Sequence, residues 1–264
     1  MQPDAGIRRL ALLVEYEGTA YGGSQYQKTA PTVQGALERA LSNLTGEPIR
    51  VTMAGRTDRG VHATGQVASF VTHSRRSVET VTSATGALLP RDISVRAVEE
   101  VPVTFDPRRH ARSRRYEYTI HVGRGRPAIS RNFVWHVGRP LRTEAMSEAA
   151  ALLVGTHDFA AFTSPSEAKS RATVRVVFRT EMVENGETVS FRIEANAFLR
   201  HMVRRIVSTL AAVGSGKMDA ATFATILRDA QPGTARPMAP ASGLCLAKVY
   251  YENGLFDDET NENI

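Results

Sequence analysis

Asn185-Gly186 stands between two runs with strand character, Val174–Met182 and Thr188–Ala195. This dipeptide readily adopts the positive φ that a tight hairpin requires, so the two runs are expected to be antiparallel neighbours. Parallel strands would need a long crossover, and an all-parallel sheet is thereby excluded for this half of the chain. Arg115–Val122 alternates as well, with Tyr116, Tyr118, Ile120 and Val122 on one face and Arg115, Glu117, Thr119 and His121 on the other. Helices are expected over 144–154, over about 197–213 and over 220–227. In the second of these Phe198, Met202, Ile206 and Leu210, with Leu199, Val203 and Val207, form a broad apolar stripe that Gly214–Gly216 ends. Arg200 and Arg204 would then lie one turn apart on its other side. A final strand is expected over 244–250.

The first half reads β, α, β, β, α, β. Leu10–Val14 is a short apolar run, followed by a loop bearing Gly18, Gly22 and Gly23. Val33, Leu37, Leu41 and Leu44 recur at helical spacing behind Thr32, a natural N-cap, and Gly46 with Pro48 ends the pattern. Strands are expected over 49–53, 66–71 and 93–98, with a helix carrying Val78, Val81 and Leu88 that stops before Pro90. The expected organisation is therefore two α/β (α+β) domains, residues 1–105 and 106–251. An acidic, solvated tail should follow over 252–264, where Asp257, Asp258, Glu259 and Glu262 cluster.

Charge narrows the function. Lys and Arg total 33 against 27 Asp and Glu, a formal net charge of +6, and only 4 of the basic residues are Lys. Between Phe105 and Arg142 there are ten arginines, among them Arg108, Arg109, Arg112, Arg114 and Arg115, and the acids are Asp106 and Glu117 alone. That stretch has the character of a nucleic-acid-facing surface. The one cysteine, Cys245, excludes an intrachain disulfide and suits a reducing compartment. Residues 1–9 lack an apolar export core and no 18 apolar residues run together, so a cytoplasmic, non-membrane protein is expected.

The segment Gly55-Arg56-Thr57-Asp58-Arg59-Gly60-Val61-His62 concentrates the chemistry. Its glycines permit a tight loop, and Arg56 and Arg59 can hold a phosphodiester near an ionised Asp58 carboxylate, a usable nucleophile or base. On these residues alone, a surface loop whose Asp is merely paired to an Arg is the alternative, and a single Asp among arginines is a weak signature. Metal ligation is poorly supported, since His157-Asp158 and the pair His62 and Asp58 are sparse and no H-E-x-x-H motif or acidic cluster accompanies them. Cys245, in an apolar strand, reads as core filling before it reads as a nucleophile. Tyr116 is either a core ring or a platform for a flipped base. Arg204 sits in a helix too apolar to be exposed around its circumference, which would call for an anionic partner.

Ala54-Gly55-Arg56-Thr57-Asp58-Arg59-Gly60-Val61-His62-Ala63 resembles the signature of the tRNA pseudouridine synthase A family. Further matches follow in order: Thr32-Val33-Gln34-Gly35, Arg115-Tyr116-Glu117-Tyr118, Gly155-Thr156-His157-Asp158-Phe159, Phe198-Leu199-Arg200-His201-Met202-Val203-Arg204 and Ala241-Ser242-Gly243-Leu244-Cys245-Leu246. The resemblance spans roughly residues 7–250. It implies the pseudouridine synthase fold, two mixed, mainly antiparallel sheet domains with flanking helices around a basic central cleft. It implies isomerisation of uridine to pseudouridine at positions 38, 39 and 40 of the tRNA anticodon stem-loop, by a homodimer using no metal and no organic cofactor, with Asp58 as the catalytic aspartate. Arg56 would order that loop and the RNA, Tyr116 would pack on the target base, Arg204 would pair with the catalytic carboxylate, and Leu244 would line the uracil pocket. Arg59, His62 and Arg114 are further candidates for contacting the substrate. Two departures stand out: Gly23-Ser24-Gln25 where the family commonly has Gly-Trp-Gln, and Phe105-Asp106-Pro107-Arg108 where it commonly has Phe-His-Ala-Arg. A non-catalytic RNA-binding protein and a metal-independent ribonuclease using His62 or His201 are the rival expectations.

Overall fold

A computed structural model describes residues 6–257. It divides into two compact units, one running to Arg112 and resuming at Leu246, the other Ser113–Cys245.

The first unit carries β1 (Arg8–Tyr16), α1 (Val33–Thr45), β2 (Thr52–Met53), β3 (His62–Thr72), α2 (Val78–Leu88) and β4 (Ile93–Val101). β1 lies between β3 and β4, antiparallel to both, and β2 adds to β3. Leu10 to Val14 are all 1% exposed or less, so both faces of β1 are covered and the run is continuously apolar instead of alternating. α1 begins where the Thr32 hydroxyl accepts from Gly35 N–H and ends at Gly46, whose φ of 74° suits the left-handed cap. The expected strand 49–53 shrinks to β2. Its earlier residues are held from α1, where the buried Glu38 carboxylate accepts from Val51 N–H at 3.1 Å and from Gln34 and Arg50.

The second unit carries β5 (Ala111–His121, from Ser113), β6 (Trp135–His136), α3 (Thr143–Ala151), β7 (Gly155–Asp158), α4 (Pro165–Ser170), β8 (Val174–Asn185), β9 (Thr188–Ala195), α5 (Met202–Gly214) and α6 (Ala220–Asp229). Its strands run β5-β9-β8-β7, antiparallel throughout, while β6 pairs β5 in parallel. The architecture is mixed α/β with a mainly antiparallel sheet and flanking helices. α3 packs on β8, α5 and α6. Its approach to α5 is close at Gly214, where a Cβ would lie 2.6 Å from Met146 Sδ.

The last strand, β10 (Leu244–Tyr251), starts in the second unit, but from Leu246 it belongs to the first, where it pairs with β3. Packing continues past 252, the expected start of the tail: Leu255 and Phe256 are 4% exposed and Lys248 Nζ lies 3.2 Å from Asp257. Residues 258–264 lie outside the described residues.

Four local expectations change. Asn185 pairs with Thr188, so the hairpin loop is Gly186-Glu187, with glycine at φ 56° in the first central position. α5 begins at Met202 and not near Ala197, because Asn196 Oδ1 accepts from Val176 and Ala197 N–H and His201 takes a left-handed φ of 65°. Arg200 is thus off the helix, and the expected face shared with Arg204 does not form. His121, expected on the more polar face of β5 with Arg115, Glu117 and Thr119, is buried against His136 at 5.5 Å between ring centroids. Cys245 is half-buried on the opposite side of β10 from Leu244 and Leu246, so it does not fill the core.

Candidate active site

In the first unit, residues 54–61 connect β2 to β3 and carry Asp58. Gln66, fully buried on β3, fixes the loop's start: its Oε1 accepts from Gly55 N–H at 3.2 Å and its Nε2 donates to Gly55 O at 2.8 Å. Thr57 is held on three sides. Its N–H donates to Ser24 Oγ (2.8 Å), its carbonyl accepts from Ser24 N–H (3.1 Å), and its hydroxyl meets Tyr16 OH (2.8 Å). The Asp58 carbonyl then accepts from Val61 N–H at 3.1 Å, closing a turn in which Gly60 supplies φ 79° at the third position. Gly18 permits the loop to sit this close, since a Cβ there would fall 2.0 Å from Val61 O.

This framework leaves Asp58 half-buried and the flanking Arg56 and Arg59 exposed, so a carboxylate stands between two solvent-facing cations. That arrangement suits an anionic backbone passing over an ionised acid. His62 is 5% exposed, and its Nδ1 accepts from Gly18 N–H at 3.1 Å. Ser24 is itself fully buried. Tyr26 is half-exposed, with the Arg50 guanidinium 5.9 Å above its ring.

In the second unit, Tyr116 lies on β5 opposite Ile193 of β9 and is 8% exposed, with Phe198 edge-on at 4.9 Å. Arg114, two residues earlier, donates to Asn196 O at 2.9 Å. Arg204 occupies the first turn of α5. Its Nε donates to Ala239 O at 2.7 Å while its own carbonyl accepts from Ala239 N–H, so segment 239–244 is bound to the helix start. Leu244 ends that segment, 6% exposed. Tyr118 supports it from β5: its OH donates to Pro240 O at 2.8 Å, and a Cβ on Gly243 would lie 2.5 Å from its ring. Burial raises the Tyr118 phenol far above its ordinary range, and nearby Arg204 offsets this only in part, so the group is a fixed neutral donor.

The departure at 105–108 is structural. Phe105 packs on Tyr251 and His110, and Asp106 Oδ1 accepts from Arg108 and Arg109 N–H at 2.8 and 2.9 Å. Burial pushes the Asp106 carboxyl upward, but these two N–H groups and the charges of Arg109 and His110 outweigh it and hold the pKa below the usual range.

Each unit therefore gathers its own candidates: Arg56, Asp58 and Arg59 on one loop, and Tyr116 and Arg114 on β5, with Arg204 and Leu244 joined through 239–244. What sequence reading missed is the supporting role of Tyr16, Ser24, Thr57 and Gln66. Gln66 carried a signal, a polar residue within the apolar run Gln66–Val71. Among the described residues no group of three His, Cys, Asp or Glu side chains is placed to hold a metal, and no helix is long and apolar enough to cross a membrane.

The sequence matches the family model of tRNA pseudouridine synthase over residues 12–108 and 149–252. It is 39% identical over 245 residues to tRNA pseudouridine synthase A of Geotalea uraniireducens, covering 93% of this chain and 100% of that protein. Against the proteins of the same name from Myxococcus xanthus and Chloroflexus aurantiacus, identity is 42% over 248 residues and 43% over 253. These alignments cover 93% and 94% of this chain, and 93% and 91% of the respective relatives.

Proposed function

The chain belongs to the tRNA pseudouridine synthase A family, and from that premise we propose that Asp58 begins its reaction at the anticodon stem-loop. The reaction itself is isomerisation of uridine to pseudouridine in tRNA. It replaces a glycosidic C–N bond by a C–C bond: uracil detaches, rotates while trapped, rejoins ribose C1′ through C5, and C5 then loses its proton. Asp58 starts the sequence either as a nucleophile or by abstracting a ribose proton. The observation that carries the assignment is the Asp58 turn itself, a half-buried carboxylate on a loop pinned at Gly55 and Thr57 and flanked by exposed Arg56 and Arg59.

Tyr116 and Leu244 confine the loose uracil by stacking and apolar contact, and the Tyr116 hydroxyl offers a route for the final proton. Arg204 supplies the positive charge that the resemblance pairs with the catalytic carboxylate. Arg56, Arg59 and Arg114 hold the RNA backbone as the base is flipped out. His62, whose Nδ1 accepts from Gly18 N–H, braces the loop beside Asp58. The targets are uridines 38, 39 and 40 and the working form is a homodimer, as the resemblance implies, and a lone cysteine suits a cytoplasmic setting.

Tritium release from tRNA carrying 5-tritiated uridine tests this reading. Wild type is expected to release tritium, whereas Asp58→Asn releases none yet retains tRNA on a filter. Equal loss of binding in the variant would refute the separation of roles, and no release by either protein with binding intact would favour an RNA-binding protein without catalysis.

A further inference from the structure

We propose that Ser24 is a positioning residue for the reaction, setting the orientation of Asp58 through Thr57 without itself touching RNA; this rests on Asp58 being the catalytic group.

Ser24 is fully buried, so its hydroxyl has no solvent alternative, and it engages one residue twice: Ser24 Oγ accepts from Thr57 N–H at 2.8 Å, and Ser24 N–H donates to Thr57 O at 3.1 Å. These two contacts act on successive peptide planes. The Thr57 nitrogen belongs to the plane shared with Arg56, and the Thr57 carbonyl to the plane shared with Asp58. Because each peptide unit is rigid, holding both leaves the Thr57 backbone dihedrals little freedom and fixes the plane from which the Asp58 Cα departs. On the other side of Asp58, the bond from Val61 N–H to its carbonyl fixes the next plane. The carboxylate is thus carried on a backbone restrained before and after it.

Ser24 can do this because it is anchored in turn. Its carbonyl accepts from Gln34 N–H at 2.9 Å and the Gly23 carbonyl accepts from Val33 N–H at 3.4 Å, which ties both residues to the first turn of α1. Gly23 has φ +117°, and a Cβ there would lie 2.8 Å from Thr57 O, so a side chain one position earlier would push the Thr57 carbonyl out of reach. The Thr57 hydroxyl meets Tyr16 OH at 2.8 Å, which links the same point to β1. A hydroxyl at 24 therefore transmits the rigidity of α1 to the reacting carboxylate. Positioning of this kind is expressed in the chemical step and not in RNA affinity.

The test compares wild type, Ser24→Ala, Ser24→Cys and Asp58→Asn in single-turnover tritium release at saturating protein, with tRNA dissociation constants measured by filter binding. Ser24→Ala removes the acceptor of Thr57 N–H while keeping the backbone bond to the Thr57 carbonyl. It is expected to slow the single-turnover rate about 10-fold to 100-fold, with the dissociation constant within about twofold of wild type. Ser24→Cys replaces the hydroxyl with a weaker acceptor of similar size and should give a smaller loss in the same parameter, which keeps the test decisive if the alanine protein does not fold. Wild-type rates in the serine variants, with Asp58→Asn inactive, overturn the proposal and leave the assignment of Asp58 standing. A loss confined to the dissociation constant also overturns it, by making Ser24 an RNA-binding determinant. An active Asp58→Asn overturns the assignment, and this proposal with it.

Discussion

Replacing Gln66 by Met tests whether the Asp58 loop is held from β3. The two side chains are close in volume, so a swap in the core costs little through packing and isolates the polar contacts. Gln66 makes one strong bond to Gly55 O at 2.8 Å, a longer one from Gly55 N–H at 3.2 Å, and a marginal one to Tyr16 OH at 3.4 Å. A buried group left without its partner costs about 1–3 kcal/mol. Gly55 is only half-buried, so water can recover part of the two main losses, and the net effect is about 2–3 kcal/mol. For a protein of this size that is a fall in Tm of about 5–10 °C, accompanied in urea by a lower midpoint at unchanged m. Single-turnover tritium release should fall as well, because Gly55 lies three residues before Asp58. A Tm within about 2 °C of wild type, together with a wild-type rate, would show that the loop keeps its shape without Gln66.

Gly18→Ala places a Cβ 2.0 Å from Val61 O, where only backbone movement can relieve the contact; it should cost about 1–3 kcal/mol in a urea melt and slow turnover more than the Gln66 variant does. Unchanged stability and rate would mean that the approach of the two loops is not required. Tyr116→Phe should keep the edge contact with Phe198 and the stack on uracil while slowing the late proton loss, seen as delayed tritium release; a wild-type time course would remove the hydroxyl from that role. Asp106, Glu47, Glu79 and Asp219 all have carboxyls held below their ordinary values, Asp219 chiefly by its bond with Thr222 at the start of α6. A depressed carboxyl contributes stability that is fully present above its unfolded pKa and is lost as the folded pKa is approached from above. Urea midpoints should therefore be flat from pH 7 to about 5 and decline below about 4, and a decline already complete at pH 5 would contradict the assignment.

Strand and helix identity was legible wherever one face is buried and the period is clean, as in α1 behind Thr32 and in β5 from Tyr116 to Ile120. Legibility failed where a tertiary contact overrides the local pattern. Phe198 and Leu199 extend the apolar stripe of α5 toward its N-terminus, but Asn196 spends its side chain on Val176 and Ala197 N–H and the helix starts later. His121 shares the polar face of β5 in the sequence pattern, but His136, brought in by the parallel pairing of β6, packs against it. At the site, Asp58 and its arginines stood out as a local cluster of charge and glycine. Ser24 stood out only as a departure from the family pattern and Gln66 only as a polar residue in an apolar run, because their importance lies in partners 33 and 11 positions away, a pairing that no local pattern encodes.

The return of β10 to the first unit has a consequence for how the protein is made. Gly65 of β3 lies so close to the last strand that a Cβ would fall 2.2 Å from Ala247 O, and Tyr251 donates to Pro107 O at 2.7 Å. The ribosome completes residues up to 112 first, yet the strand that covers this edge of β3 emerges only after the whole of Ser113–Cys245. While the whole second unit is translated, the nascent first unit presents an open sheet edge, the kind of surface that recruits foreign strands. Synthesis therefore imposes a waiting period on the half that carries Asp58, and truncation anywhere before Leu246 would make that exposure permanent.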